Sequence, residues 1–471
     1  MKKKFLILFS ILFIFTLSVF GCGGSSLSGG PDKTATVYGN GGVAVVKGNY
    51  LYFSNAYIDY NNIGSNDNDY DKDGTMQKNY GIYRTKINAN GVIDVDSNGF
   101  TKNAELLVPQ VSGYEKSGLY ICGEYLYYST PYSGYKTGES SLTKGLLRFE
   151  RVKLDGSDHL VLSEGEYTVD CEYSINYIDG VTYITILSNG KINVIKSKAN
   201  GDKSTYTLAD NVATMVVEKQ ETLVYNKSTA SVNKYVYYTR TSDSNGKNSL
   251  YRRSFENGTE QNLIAETSDS ISLVAVKNNR FYYIQNDILK STSFNNDEVI
   301  YSSIPFAKDA STGLLDFIVL NDSYGYGLDR GVVAVYYDGT DYILVRFNNG
   351  QVKAIGSAKK QISLKFTTGN EVYCQIAEDV ALYAVDIETS EKRIVIDSFE
   401  DVVSDGADEE TSISMLDFDG ERVYYFATAE NSNGKLSYLH MALLEENFFK
   451  DKEGNSVGHY IGVLDSSDIK K

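Results

Sequence analysis

The clearest chemical pattern in this chain is a run of six residues, Asp69-Tyr70-Asp71-Lys72-Asp73-Gly74. Carboxylates at alternate positions, with a glycine that permits a sharp turn, wrap a calcium ion, and Thr75 would add its backbone carbonyl. The set expected to hold Ca2+ is therefore Asp69, Asp71, Asp73 and Thr75. Gln77 and Tyr80 stand where the remaining ligands belong, so Asp67 or a neighbouring loop must complete the shell. The alternative is a solvated loop rich in Asp and Asn.

Other chemistry is thinly represented. The 3 histidines, His159, His440 and His459, have no Ser or Cys in a nucleophile context beside them, and no Gly-x-Ser-x-Gly elbow occurs. Paired-His zinc motifs, phosphate-binding loops and dinucleotide fingerprints are absent from the sequence. Quinone-cofactor and sialidase-like propellers have tryptophan-containing signatures, which a chain with 0 Trp does not match. A pair of carboxylates facing each other across a channel would suit a polysaccharide hydrolase or lyase, but 61 acids leave the choice open.

Tyrosine is the abundant amphipathic residue, with 39 copies. Most fall in a repeated strand pattern and read as packing. Tyr57, Tyr60 and Tyr70 lie in one long polar insertion (54–79), and Tyr132 and Tyr135 in a second (129–145). Beside Ser, Asn and Gly they make a recognition surface for a protein or a glycan. Loop variation without function is the other reading.

The elements that must position these residues repeat along the chain. Gly48-Asn49-Tyr50-Leu51-Tyr52-Phe53 returns as Gly123-Glu124-Tyr125-Leu126-Tyr127-Tyr128 and as Asp179-Gly180-Val181-Thr182-Tyr183-Ile184. Looser copies end near Tyr237, Tyr282, Tyr337, Tyr373 and Tyr424, at an average spacing of about 53 residues. An apolar strand precedes each turn, and a strand with a basic core follows, such as Ile82-Tyr83-Arg84, Leu147-Arg148-Phe149 or Leu250-Tyr251-Arg252. Asn-Gly or Asp-Gly turns and another short apolar segment complete four antiparallel strands per unit.

Units that bury their apolar faces only against neighbours form arrays, and radial packing of four-stranded sheets is their natural closure. The predicted fold is an all-β propeller of eight blades, or seven if the irregular stretch 316–347 is not a blade. The sequence further predicts that a terminal strand at 460–464 pairs with the N-terminal strand near 36–38 to close the ring.

Ahead of the body, Lys2, Lys3 and Lys4 cap an apolar run from Phe5 to Phe20. At 1.5 Å per residue that run spans roughly 24 Å, short of a bilayer core of about 30 Å, and it reads as an export signal over 1–21. Val19-Phe20-Gly21-Cys22 is similar to the lipobox of bacterial lipoproteins. That resemblance implies cleavage before Cys22 and a diacylglyceryl group on its thiol, hence a lipid-anchored protein on the extracytoplasmic face of the cell membrane; an ordinary secretory signal cut near Gly21 is the alternative. Residues 22–35, rich in Gly and Ser, form a tether, and 36–471 a single propeller domain.

Without the leader's three lysines the chain keeps 42 basic and 61 acidic side chains, a net charge of −19. That argues against nucleic acid or anionic lipid as a partner of the body. Cys122, Cys171 and Cys374 remain after Cys22, with no metal-ligand spacing, and a Cys122 to Cys171 bridge stays open.

The succession of turn, Tyr-Tyr strand, basic strand and Asp/Asn-Gly turn resembles the YWTD-type propellers of lipoprotein-receptor ectodomains. It is most similar to the propeller domains of unknown function in lipoproteins of low-GC Gram-positive bacteria, over most of 36–464. The resemblance implies binding rather than catalysis, with an envelope protein or glycan as the partner; the receptors' ligand-binding residues have no counterparts here.

Overall fold

A computed structural model describes residues 37–39, 41–54, 57–59, 81–89, 93–94, 101–108, 118–130, 146–168, 171–217, 235–241, 245–256, 258–277, 280–286, 288–293, 296–299, 313–320, 331–348, 351–379, 381–396, 409–418, 422–431, 434–443 and 459–460. Their strands form eight antiparallel sheets, each built mainly from four strands in sequence order.

Sheet 1 comprises Ala44–Lys47, Tyr50–Ser54, Ile82–Lys86 and Glu105–Val108. Sheet 2 comprises Tyr120–Cys122, Tyr125–Thr130, Leu146–Lys153 and Leu160–Thr168. Sheet 3 runs through Glu172–Ile178, Val181–Ser188, Lys191–Lys198 and Lys203–Asp210. Sheet 4 has Val212–Val217, Tyr235–Thr241, Asn248–Ser254 and Gln261–Thr267. Sheet 5 has Ile271–Lys277, Arg280–Gln285, Ile288–Ser293 and Asn296–Val299. Sheet 6 takes in Gly313–Val319, Val332–Tyr337, Tyr342–Asn348 and Gln351–Ala358. Sheet 7 takes in Ile362–Thr368, Glu371–Ile376, Leu382–Asp386 and Lys392–Ile396. Sheet 8 ends the series with Glu409–Phe418, Arg422–Asn431, Gly434–Leu443 and His459–Tyr460.

The protein is an all-β propeller because both faces of each sheet are apolar and each face meets a different neighbour. Successive strand residues point to opposite faces. In the repeated second strand, Tyr52, Tyr127, Tyr183, Tyr237 and Tyr282 pack toward the following sheet, while Leu51, Leu126, Ile184, Val236 and Phe281 pack toward the preceding one. Sheet 1 closes on sheet 8 by the same rule: Val43, Leu51, Phe53 and Tyr83 share a core with Tyr424 and Met441. First strands of neighbouring sheets touch one another, as inner strands around an axis must.

Two sequence expectations need correction. The stretch 316–347 belongs to a regular sheet, but the residue in register with the repeated tyrosines is Val335 rather than Tyr337: Val335, opposite Leu344, packs toward sheet 7 with Val372 and Cys374, whereas Ala334 packs back toward Tyr282 of sheet 5. Among the described residues the two ends of the chain do not pair with each other: Val37 lies opposite Cys122 on sheet 2, and Tyr460 opposite His440 on sheet 8, while 461–464 lie outside the described residues. The ten-residue third strand of sheet 8 offers a long outer edge of unpaired backbone groups, which His459–Tyr460 covers in part. Tyr57–Asp59, from the insertion in sheet 1, covers another part of it by pairing with Leu436–Tyr438. Cys122 and Cys171, whose bridge the sequence left open, share one core and are free thiols.

Turn chemistry fixes the strand entries. Gly331 opens the second strand of sheet 6 at φ +84, and a Cβ there would stand 1.8 Å from the carbonyl oxygen of Phe347. Gly331→Ala is expected to cost about 2–3 kcal/mol, because a side chain in that region is strained and meets rigid backbone. Gly369→Ala, at φ +54 with nothing within 4 Å, is the control. Urea midpoints compare the two; equal losses would show that the clash relaxes freely.

Candidate functional site

Cys22, the proposed calcium set Asp69, Asp71, Asp73 and Thr75, and the loop tyrosines Tyr60, Tyr70, Tyr132 and Tyr135 lie outside the described residues. Tyr57 is described as a strand residue opposite Tyr438. Among the described residues no group of three or more His, Cys, Asp or Glu side chains is arranged to hold a metal ion. The sheet order does place the two insertions: each joins the second to the third strand, in sheets 1 and 2, so both leave from the rim that also carries the crossovers between sheets.

The densest polar chemistry lies between the sheets. Tyr52, Tyr127, Tyr183 and Tyr237 face Arg84, Arg151, Lys196 and Arg252 across the second and third strands. The cations stack on tyrosine rings: Arg84 lies 5.3 Å from the Tyr50 centroid, Arg151 4.1 Å from Tyr125 and Arg252 4.5 Å from Tyr235. Two of them then reach the next sheet. Arg84 Nη1 donates to Leu154 O at 2.5 Å, and Arg151 donates to Lys198 O at 2.5 Å and Ala199 O at 3.3 Å. In sheets 1 and 2 the basic residue of the third strand is thus a clasp to the neighbouring sheet. In sheet 2 the clasp is Arg151, not the Arg148 that the sequence pattern singles out.

On the opposite face of that strand, Glu150 is fully buried. Its carboxylate is ion-paired with Arg148 Nε, accepts the Tyr128 hydroxyl at 2.5 Å and lies 2.6 Å from His159 Nε2. Burial, then the Glu150 charge, pushes the Tyr128 phenol well above its ordinary range. The alternation Arg148-Phe149-Glu150-Arg151 in a buried strand was the sequence signal for both groups.

A small crevice, with room for about 20 Å3, lies between sheets 2 and 3, lined among others by Cys122, Glu124, Tyr125, Tyr177 and Thr182. The Tyr125 hydroxyl sits 2.8 Å from Asp158 Oδ2 and 3.0 Å from Ala199 O. Burial, with the Asp158 contact second, pushes it up to about 12. Burial also pushes the thiols of Cys122 up to about 12 and Cys374 to about 11. Iodoacetamide at pH 8 is therefore expected to leave Cys122, Cys171 and Cys374 of the folded body unmodified and to alkylate all three in urea. Alkylation of Cys122 in the folded protein would show that the crevice admits reagents and lowers its pKa.

The inner strands hold the remaining unusual pair. Asp316, half-buried in sheet 6, accepts the Leu364 N–H of sheet 7 through Oδ2 at 3.1 Å, and burial holds its carboxyl above the usual carboxylate range. Lys365, also half-buried, is held below the usual lysine range by the same loss of solvent.

No known protein family and no curated protein matches this sequence. Among solved structures, an oligogalacturonate lyase in complex with manganese is similar at 11% identity and a TM-score of 0.43, covering 69% of this chain and 87% of that one. The β-propeller domain of the Trilobed protease from Pyrococcus furiosus is similar at 11% identity and a TM-score of 0.34, covering 57% and 80%. Virginiamycin B lyase from Staphylococcus aureus follows at 13% identity and 0.35, covering 67% and 99%. These likenesses concern fold and carry nothing about ligand or activity.

Proposed function

We propose that this chain is an exported lipoprotein, held at the extracytoplasmic face of the membrane by acylated Cys22, whose propeller binds a protein or glycan of the cell envelope. The observation that carries this reading is the gathering of insertions on one rim. The insertion of sheet 1 crosses the seam to pair with sheet 8, and the insertion of sheet 2 leaves from the same side. Tyr57, Tyr60, Tyr70, Tyr132 and Tyr135 belong to those two segments. Loops carried by a rigid scaffold are where recognition residues collect. Two acyl chains on Cys22 would supply firm anchoring, since each buried methylene contributes about 0.8 kcal/mol. In this reading the Asp69 to Thr75 segment binds calcium and orders the first insertion.

The test is capture from solubilised envelope by the soluble body, residues 34–471, with and without calcium, followed by titration of the purified partner. Saturable binding that Tyr57→Ala combined with Tyr135→Ala weakens at least about tenfold, or about 1.4 kcal/mol, is the expected result. Unchanged affinity in the double variant removes the rim from the proposal, and the absence of any captured component removes the binding function.

A second reading, a polysaccharide hydrolase or lyase, draws on one observation: Asp316 is a half-buried carboxyl on an inner strand with a raised pKa. Turnover of an envelope polysaccharide that Asp316→Asn abolishes without lowering the urea midpoint would favour it.

A further inference from the structure

The inner strands of sheets 5 to 8 share an irregularity. In each, a register shift adds one residue next to the partner of the second-strand position occupied by Tyr282, Val335, Tyr373 and Tyr424. The residues immediately before those partners are Val274, Leu315, Lys365 and Leu416. A bulge gives two residues one place in the ladder and re-aims a side chain, and bulges gather beside functional sites. Four successive bulges at one level of the inner wall thus place three apolar residues and one cation, Lys365, in a row, and Asp316 is the ladder residue that follows the bulged Leu315.

Asp316 and Lys365 differ in how they are held. Asp316 takes backbone N–H groups from Leu364 and Phe317, which hold the carboxyl in place and offset its charge. The Lys365 ammonium interacts with Asp316 and with Cys374 of the adjacent strand only through space; among the described residues no hydrogen bond or ion pair reaches it. Lys392 is the other cation near Cys374. Beside Asp316, Leu315 keeps 52% of its surface exposed on this inner strand, the most exposed of the large apolar side chains described.

A half-buried ammonium without a partner is in a costly state that an incoming anion relieves. The adjacent Asp316 carboxyl weighs against a phosphate dianion, which prefers several converging donors. A single carboxylate matches a single ammonium, and Leu315 favours an organic group attached to it. We propose that this point of the inner wall, distinct from the insertion rim, is a binding site for an organic carboxylate, anchored by the Lys365 ammonium with Leu315 as its apolar contact.

The test is competitive amine labelling of the full chain in detergent at pH 8, with rates for individual lysines read by peptide mass spectrometry. Hexanoate and glucuronate are the carboxylate probes, hexanol and glucose their neutral counterparts, and inorganic phosphate the competing anion. Saturating carboxylate is expected to slow labelling of Lys365 by about fivefold, because the ion pair favours the protonated amine, while exposed Lys360 is unaffected. Protection by hexanoate alone identifies an acyl chain as the source of the carboxylate, and protection by glucuronate alone an acidic sugar. No protection by either, equal protection by a neutral counterpart, or stronger protection by phosphate overturns the proposal. Calorimetric titration supplies a second readout: Lys365→Arg should retain carboxylate binding and Lys365→Met should lose it at an unchanged urea midpoint, and retained binding in Lys365→Met also overturns it.

Discussion

Arg151→Met is expected to lower the stability of the propeller by about 4 kcal/mol, because three acceptors in a dry interface lose a charged donor at once. Arg151 is 1% exposed. Its guanidinium donates to Lys198 O, Ala199 O and Ser197 Oγ of sheet 3, and it covers the Tyr125 ring of its own sheet. Methionine fills most of the volume but satisfies none of the three oxygens. Arg84→Met is the internal comparison: the equivalent side chain keeps 17% exposure, pairs with the more exposed Glu105 and reaches Leu154 O alone. Its loss should be about 1–1.5 kcal/mol, since water replaces much of what is removed. Urea unfolding of the two variants measures both. Equal losses would mean that the number of acceptors across the sheet boundary does not set the strength of the clasp.

The repeat was legible because its signals are local. A Gly or Asn turn followed by alternating large apolar residues announces a strand buried on both faces, and Tyr52, Tyr127 and Tyr183 occupy equivalent places in sheets 1 to 3. Where the alternation loses its aromatic, the register is lost with it. Val335 fills the tyrosine position of sheet 6, so the pattern pointed to Tyr337, which lies two residues further along the strand. The seam was not legible either. Whether His459–Tyr460 covers sheet 8 or meets the other end of the chain depends on which edge stands open nearby in space, and no residue type encodes that. The same holds for the polar interior. Glu150 reads in sequence as one of many acids, and its partner His159 reads as a surface histidine, until the fold brings both beside Tyr128 and Arg148.

That cluster sets up the second large effect. Glu150→Ala is expected to destabilise the protein by about 4 kcal/mol, as buried ion pairs do when one partner is removed. The Arg148 charge, with a side chain 10% exposed, would stay between the sheets without its carboxylate, and the Tyr128 hydroxyl would lose its acceptor. His159, with a side chain 39% exposed, can turn to water, so its share of the loss is small. If the stranded charge dominates, removing it as well should restore stability. The double variant Glu150→Leu with Arg148→Met is expected to recover about 2–3 kcal/mol of the loss, since an apolar pair of similar volume asks for no solvation. Urea midpoints of Glu150→Leu, Arg148→Met and the double variant close the cycle. A double variant no more stable than Glu150→Ala would place the cost in lost packing and in the Tyr128 hydroxyl, and would make the Arg148 to Glu150 pair incidental to the joint between sheets 1 and 2.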